Sequence, residues 1–160
     1  MKDFKNLLVR LEENKVEFVI VGGFAATLHG TTLLTQDLDI CAPFTESNMV
    51  RLLSVLKQFN AKHRMIGKTK PLNESAGELS KFKNLYLITD AGYLDILGQI
   101  KGLGNYGDLL KHSIGIKLFD STFSVLDIDG LILAKKQMDR IKDKETVIQL
   151  EVIKDKIKDK

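Results

Sequence analysis

At 160 residues, 44% hydrophobic and 28% charged, the chain has the size of one globular domain able to bury its own core. A net charge of +3 is too small to mark a nucleic-acid-binding protein, a single cysteine excludes an internal disulfide, and no stretch approaches the roughly 20 apolar residues that a membrane span needs. The N-terminal MKDFKNLLVRLEEN is charged and amphipathic rather than signal-like, so a soluble, cytoplasmic protein is expected.

In chain order, Phe4, Leu7, Leu8 and Leu11 have helical spacing, with Asn14 as a stop. Val16 to Val21 is short, β-branched and aromatic, which predicts a buried strand ended by a tight Gly22-Gly23 turn. Phe24 to His29 returns to helix formers and Gly30 ends them. Asp37 to Ala42 alternates Leu38 and Ile40 with Asp37 and Asp39, the pattern of a half-buried strand carrying two carboxylates on one face, and places Cys41 in a strand interior as a reduced, buried thiol. After Pro43, Thr45 and Asn48 offer caps for an amphipathic helix to about Phe59. Residues 67 to 81, with Gly67, Pro71, Asn73 and Gly77, read as a loop whose Lys68 and Lys70 could face a polynucleotide or protein acceptor.

Strands are expected at Leu85 to Thr89 and Tyr93 to Leu97, joined as a hairpin by Asp90-Ala91-Gly92. A glycine-rich connector leads to a short helix at Asp108 to His112, then to strands near Ile114 to Phe119 and Thr122 to Leu126. Two helices close the chain, Asp127 to Asp139 and Asp143 to about Ile157. The Lys-Asp alternation at the end reads as a solvated, fraying helix, although its lysines also admit a general nucleic-acid-binding module. His29, His63 and His112 lack any paired ligand spacing and read as ordinary polar residues.

The acidic strand carries the chemistry. Side chains two apart on a strand point the same way, roughly 7 Å apart, which lets Asp37 and Asp39 share a pair of divalent cations about 3.5 to 4 Å apart. Asp95, flanked by Leu94 and Ile96, has the same open-face pattern and supplies a third carboxylate from a neighbouring strand. Glycines 22 and 23 allow close approach of phosphate to the start of the next helix, whose free N–H groups favour anions.

The stretch VEFVIVGGFAATLHGTTLLTQDLDI resembles the signature of the nucleotidyltransferase superfamily related to DNA polymerase beta, in which a Gly-Gly or Gly-Ser turn precedes an acidic pair. YLDIL resembles the strand bearing that superfamily's third carboxylate. The segment from Asn105 to Asp143 resembles the C-terminal portion of small bacterial members related to antitoxin and abortive-infection proteins. The resemblance implies an α/β (α+β) fold with a mixed sheet flanked by helices, including C-terminal helices. It also implies two Mg²⁺ or Mn²⁺ ions, and transfer of a nucleoside monophosphate from a triphosphate such as ATP to an RNA, protein or small-molecule hydroxyl.

Carried over by residue, the resemblance assigns Gly22 and Gly23 to the triphosphate, Asp37 and Asp39 to both metals, and Asp95 to the metal that activates the attacking hydroxyl. Lys135, Lys136 and Arg140 fall where relatives use basic residues near the phosphates, and Lys142-Asp143 resembles a pair at the start of the last helix, which also reads as a plain helix cap. One departure stands out. Leu33 occupies a position that is often arginine in relatives, which removes an expected cation and implies a second possibility, a nucleotidyltransferase-fold protein without turnover that binds a partner, as an antitoxin does.

Overall fold

The computed structural model describes residues 3–158. α1 (Phe4–Glu13) is capped by the Asp3 carboxylate, which accepts the Asn6 N–H, and buries the Phe4, Leu7, Leu8 and Leu11 stripe. After it come β1 (Val19–Val21), α2 (Gly22–His29), β2 (Asp37–Cys41) and α3 (Glu46–Gln58), the last started by the Thr45 hydroxyl accepting the Asn48 N–H. The expected Gly22-Gly23 turn is in fact the first turn of α2. The chain enters the helix with no intervening loop because Gly22 adopts a φ of +70°, in the left-handed region open to glycine.

Residues 67 to 81 correct the loop expectation. β3 (Lys62–Met65) and β4 (Lys68–Pro71) form a hairpin about Gly67, and α4 (Ala76–Leu79) starts with a Ser75–Glu78 capping box that no other signal drew attention to. β5 (Asn84–Thr89) and β6 (Gly92–Leu97) form the expected hairpin, followed by the short pair β7 (Gln99–Ile100) and β8 (Gly104–Asn105). α5 (Tyr106–Leu110) starts two residues before the expected Asp108, because Asn105 is its cap and Asp108 is the reciprocal third residue of that capping box. β9 (Ser113–Leu118) and β10 (Ser121–Leu126) lead to α6 (Ile128–Lys136), capped by Asp127, and α7 (Ile141–Lys158), which continues helically through the Lys-Asp alternation; Asp159 and Lys160 lie outside the described residues.

Eight strands among the described residues form one mixed sheet in the order β4-β3-β5-β6-β2-β1-β10-β9. Among the described residues seven helices flank it: α1 packs on α3 and α3 on α4, while α2, α6 and α7 pack on one another. Leu38, Ile40, Leu94 and Ile96 are fully buried in the core, which leaves the alternate positions of β2 and β6 on the other face. The buried Asn48 side chain fixes the two ends of this framework. Its Oδ1 accepts the Glu17 N–H at 2.8 Å and its amide donates to the Glu17 and Pro43 carbonyls at 3.1 Å, tying the lead-in to β1 to the segment leaving β2. Cys41 is buried and free, and no helix among the described residues is long and apolar enough to cross a membrane.

Candidate active site

Strand register brings the acidic residues together. β1 pairs antiparallel with β2, setting Val21 opposite Asp39, and β2 pairs parallel with β6, setting Asp39 opposite Asp95. Asp37 lies two residues along β2 on the same face, and oxygens of Asp37, Asp39 and Asp95 all lie within 4.8 Å of one another. The same register delivers the start of α2 beside Asp39. A Cβ at Gly22 would collide with Asp39 Oδ2, and one at Gly23 would lie 3.0 Å from Thr35 Oγ1, so the absence of side chains here is what lets helix, loop and acidic strand converge.

Three carboxylates this close cannot all be charged cheaply. Burial raises the Asp39 carboxyl from its ordinary value of 3.8 to about 7, with Asp95 and Asp37 adding repulsion and Lys135 and Lys142 working against them. Burial also raises Asp95, opposed first by Arg64. Asp39 Oδ1 is buried and has no hydrogen-bond partner among the described residues. Such an oxygen is costly unless something hard and positive satisfies it, and an all-carboxylate donor set is the kind that divalent cations of the magnesium class take. The three residues therefore fit a divalent metal.

The carboxylates line a cleft of about 390 Å³ that also exposes Gly23, Leu33, Lys135, Arg140 and Lys142. Lys135 and Arg140 converge on Asp143, whose side chain is fully buried: Lys135 Nζ lies 3.1 Å from Oδ1 and Arg140 Nε 2.7 Å from Oδ2. Burial pushes the Asp143 carboxyl up, but the hydrogen bonds from Arg140 and Lys135 prevail and hold it below the usual range. Thus Asp143, expected as a helix cap, instead sits inside the first turn of α7 and turns its carboxylate to two cations at the rim of the cleft. Gly22, Gly23, Asp37, Asp39, Asp95, Lys135 and Arg140 are gathered here. Lys136 is not: it points to the outer side of α6, 3.6 Å from Glu151 and solvent-exposed.

Arg64 went unmarked in the sequence. From β3 it donates to Asp95 Oδ1 at 2.9 Å, reaches the Leu87 carbonyl at 3.4 Å and stacks over Tyr93 at 4.9 Å from the ring centre. Its only sequence signal was its place in a four-residue strand, KHRM, too short and too polar to stand out. His29 and His63 are engaged elsewhere, with the Leu126 carbonyl and with Glu74 respectively.

No protein-family model matches the sequence, and no curated protein matches it. Solved structures do share the fold. A Thermotoga maritima protein described as a nucleotidyltransferase is 20% identical with a TM-score of 0.56, covering 91% of this chain and 88% of its own. The lincosamide antibiotic adenylyltransferase LnuA, solved with lincomycin bound, is 16% identical with a TM-score of 0.61 over 94% of this chain and 95% of that one. ANT(2″)-Ia, solved in complex with adenylyl-2″-tobramycin, is 11% identical with a TM-score of 0.58 over 98% and 95%. The chain thus has the nucleotidyltransferase fold, a mixed sheet flanked by helices, with an acidic triad at its centre.

Proposed function

We propose that the protein is a metal-dependent nucleotidyltransferase that moves a nucleoside monophosphate from a nucleoside triphosphate to a hydroxyl acceptor. The observation that carries this reading is the convergence of oxygens of Asp37, Asp39 and Asp95 within 4.8 Å, with one buried Asp39 oxygen lacking a hydrogen-bond partner among the described residues. These residues would hold divalent cations, Mg²⁺ or Mn²⁺ and two in number on this reading, which supply Lewis acidity to the phosphoryl oxygens and to the attacking hydroxyl. Lys135, Arg140 and Lys142 face the same cleft and offset phosphate charge. The N–H groups at the start of α2 have no side-chain cap and suit a phosphate oxygen. Arg64 orients Asp95 through Oδ1, and the Asp95 carboxylate would take the proton of the acceptor hydroxyl. The acceptor oxygen bonds to the α-phosphorus as the bridge to the β-phosphate breaks, and pyrophosphate leaves with the electron pair. A cytoplasmic location, where triphosphates are abundant and Cys41 stays reduced, fits this chemistry.

The test is label transfer from α-³²P-triphosphates in Mg²⁺ to components of a cell extract. Transfer is expected, and Asp39→Asn should reduce it at least about a hundredfold with the fold intact by circular dichroism. Absence of labelled product, or equal labelling by the variant, would sink the reading. A second reading, a partner-binding protein such as an antitoxin that keeps the fold without turnover, is favoured by Leu33, which lines the cleft with no charge. Calorimetry separates the two: tight Mg²⁺-dependent triphosphate binding supports the enzyme, and its absence supports the binding protein.

A further inference from the structure

A second cavity, larger than the carboxylate cleft at about 880 Å³, lies beyond the end of β6. Phe44, Phe82 and Tyr106 line it together with Lys83, Lys101 and Asn84, and no Asp or Glu is among the described residues that do so. Asp108, the nearest acidic residue in sequence to this wall, turns its carboxylate back to the Asn105 N–H at 3.0 Å. The lining is therefore aromatic and basic, with Glu17 the acidic group whose charge reaches it, adding to burial in raising the Tyr106 hydroxyl.

It adjoins the acidic triad. β6 sends Asp95 and Leu97 to one face; Leu97 lines the carboxylate cleft and the next residue, Gly98, lines the cavity. On β5, Tyr86 pairs with Asp95 and Asn84 with Leu97, and these two residues divide between the two spaces in the same way. Asp95 is thus three residues, roughly 10 Å, from Gly98 at the cavity's edge. The junction is built tightly. Gly98 N–H donates to the Lys83 carbonyl at 2.9 Å and to Asn84 Oδ1 at 3.3 Å, and a Cβ at 98 would lie 2.7 Å from that carbonyl. Phe82 is held by stacking on His63, which the Glu74 carboxylate anchors at 2.6 Å.

We infer that this cavity is the acceptor site and takes a small molecule bearing an aromatic ring and an anionic group, whose hydroxyl reaches Asp95; this rests on the nucleotidyl-transfer reading above. The volume suits one small ligand rather than a folded partner. The aromatic faces provide area for a ring, and Lys83 and Lys101, with no Asp or Glu among the described residues that line the cavity, attract an anion. Aromatic rings alone could hold an ammonium group, but here both lysines repel it. A polycationic amino sugar is the wrong ligand for these walls.

A matched pair of probes tests this: 4-(hydroxymethyl)phenyl phosphate and 4-(aminomethyl)benzyl alcohol, which share ring and hydroxyl and differ in charge. Calorimetry in EDTA without triphosphate should show binding of the phosphate only, weakened at least about tenfold by Lys83→Glu and by Phe82→Ala. Lys83 is exposed, so its variant tests the proposal even where Phe82→Ala does not fold. Equal or tighter binding of the amine, no binding of either probe, or indifference to Lys83→Glu overturns it. With Mg²⁺ and labelled triphosphate the aryl phosphate should then become labelled. If wild type fails to bind Mg²⁺-triphosphate while the aryl phosphate still binds in the cavity, the transferase reading falls and the ligand class stands.

Discussion

Asp39 is the residue where folding and chemistry oppose each other most directly. Its carboxyl is raised from 3.8 to about 7, mainly by burial and then by its two acidic neighbours. Between about pH 4 and pH 7 the metal-free native state keeps a proton that the unfolded chain has released, so stability falls as pH rises through that window. Asp39→Asn removes the penalty. In EDTA the variant should be more stable than wild type at pH 8 by on the order of 2 to 4 kcal/mol, with the difference closing near pH 4. Urea melts at three pH values check this, and a difference that does not change with pH would show that the carboxyl carries no such burden. Mg²⁺ should stabilise wild type at pH 8 and leave the variant nearly unmoved. At this scale Asp37, Asp39 and Asp95 were legible because alternation with Leu38, Ile40, Leu94 and Ile96 is a local pattern. Arg64 was not, since only the pairing of β3 with β5, His63 opposite Leu87, carries it towards Asp95.

Among the elements, the α6–α7 junction shows how a locally bland signal hides a structural role. Lys142-Asp143 reads from sequence slightly better as a cap, but Asp143 lies in the first turn of α7 with its side chain fully buried, facing back to Lys135 on α6. Its depressed carboxyl contributes stability that is present above the usual carboxylate range and lost as pH falls through the lowered value. Asp143→Ala leaves the largely buried Lys135 without its partner and should cost about 3 kcal/mol in urea denaturation at pH 7. The exposed Arg140 can turn to solvent, so triphosphate affinity should fall too. Asp143→Asn, which keeps an acceptor, should recover part of both losses. An alanine variant as stable as wild type would show that the two lysine and arginine contacts are incidental. The β3–β4 hairpin was missed for a related reason: its pairing depends on φ +73° at Gly67 and on the edge of β5, while its residues are mostly exposed and lack an apolar face.

In the whole molecule, strands far apart in the chain, β1 and β10, meet in the sheet. β1 lies between β2 and β10, and its parallel pairing of Ile20 with Val125 cannot be read from local pattern, because no turn joins the two strands. The mixed sheet was legible through family resemblance; the strand order was not. This topology has a thermodynamic consequence. Val125, Leu126, Leu131 and Leu150 belong to the same buried cluster as Leu7, Ile20 and Leu38, so the C-terminal segment completes the core that seats the acidic strand. Unfolding should therefore be cooperative: tyrosine fluorescence and far-ultraviolet circular dichroism should give coincident urea transitions. Mg²⁺ with triphosphate at about 100 times its dissociation constant should shift both together by roughly 2.7 kcal/mol. Removing residues 112 to 160 should abolish the transition altogether, since β1 would lose a neighbour and the core a wall. Separate midpoints for the two probes, or a folded truncated chain, would mean that the acidic strand is seated without α6 and α7; Lys135 and Arg140 would then belong to a unit that docks on the site rather than one that forms it.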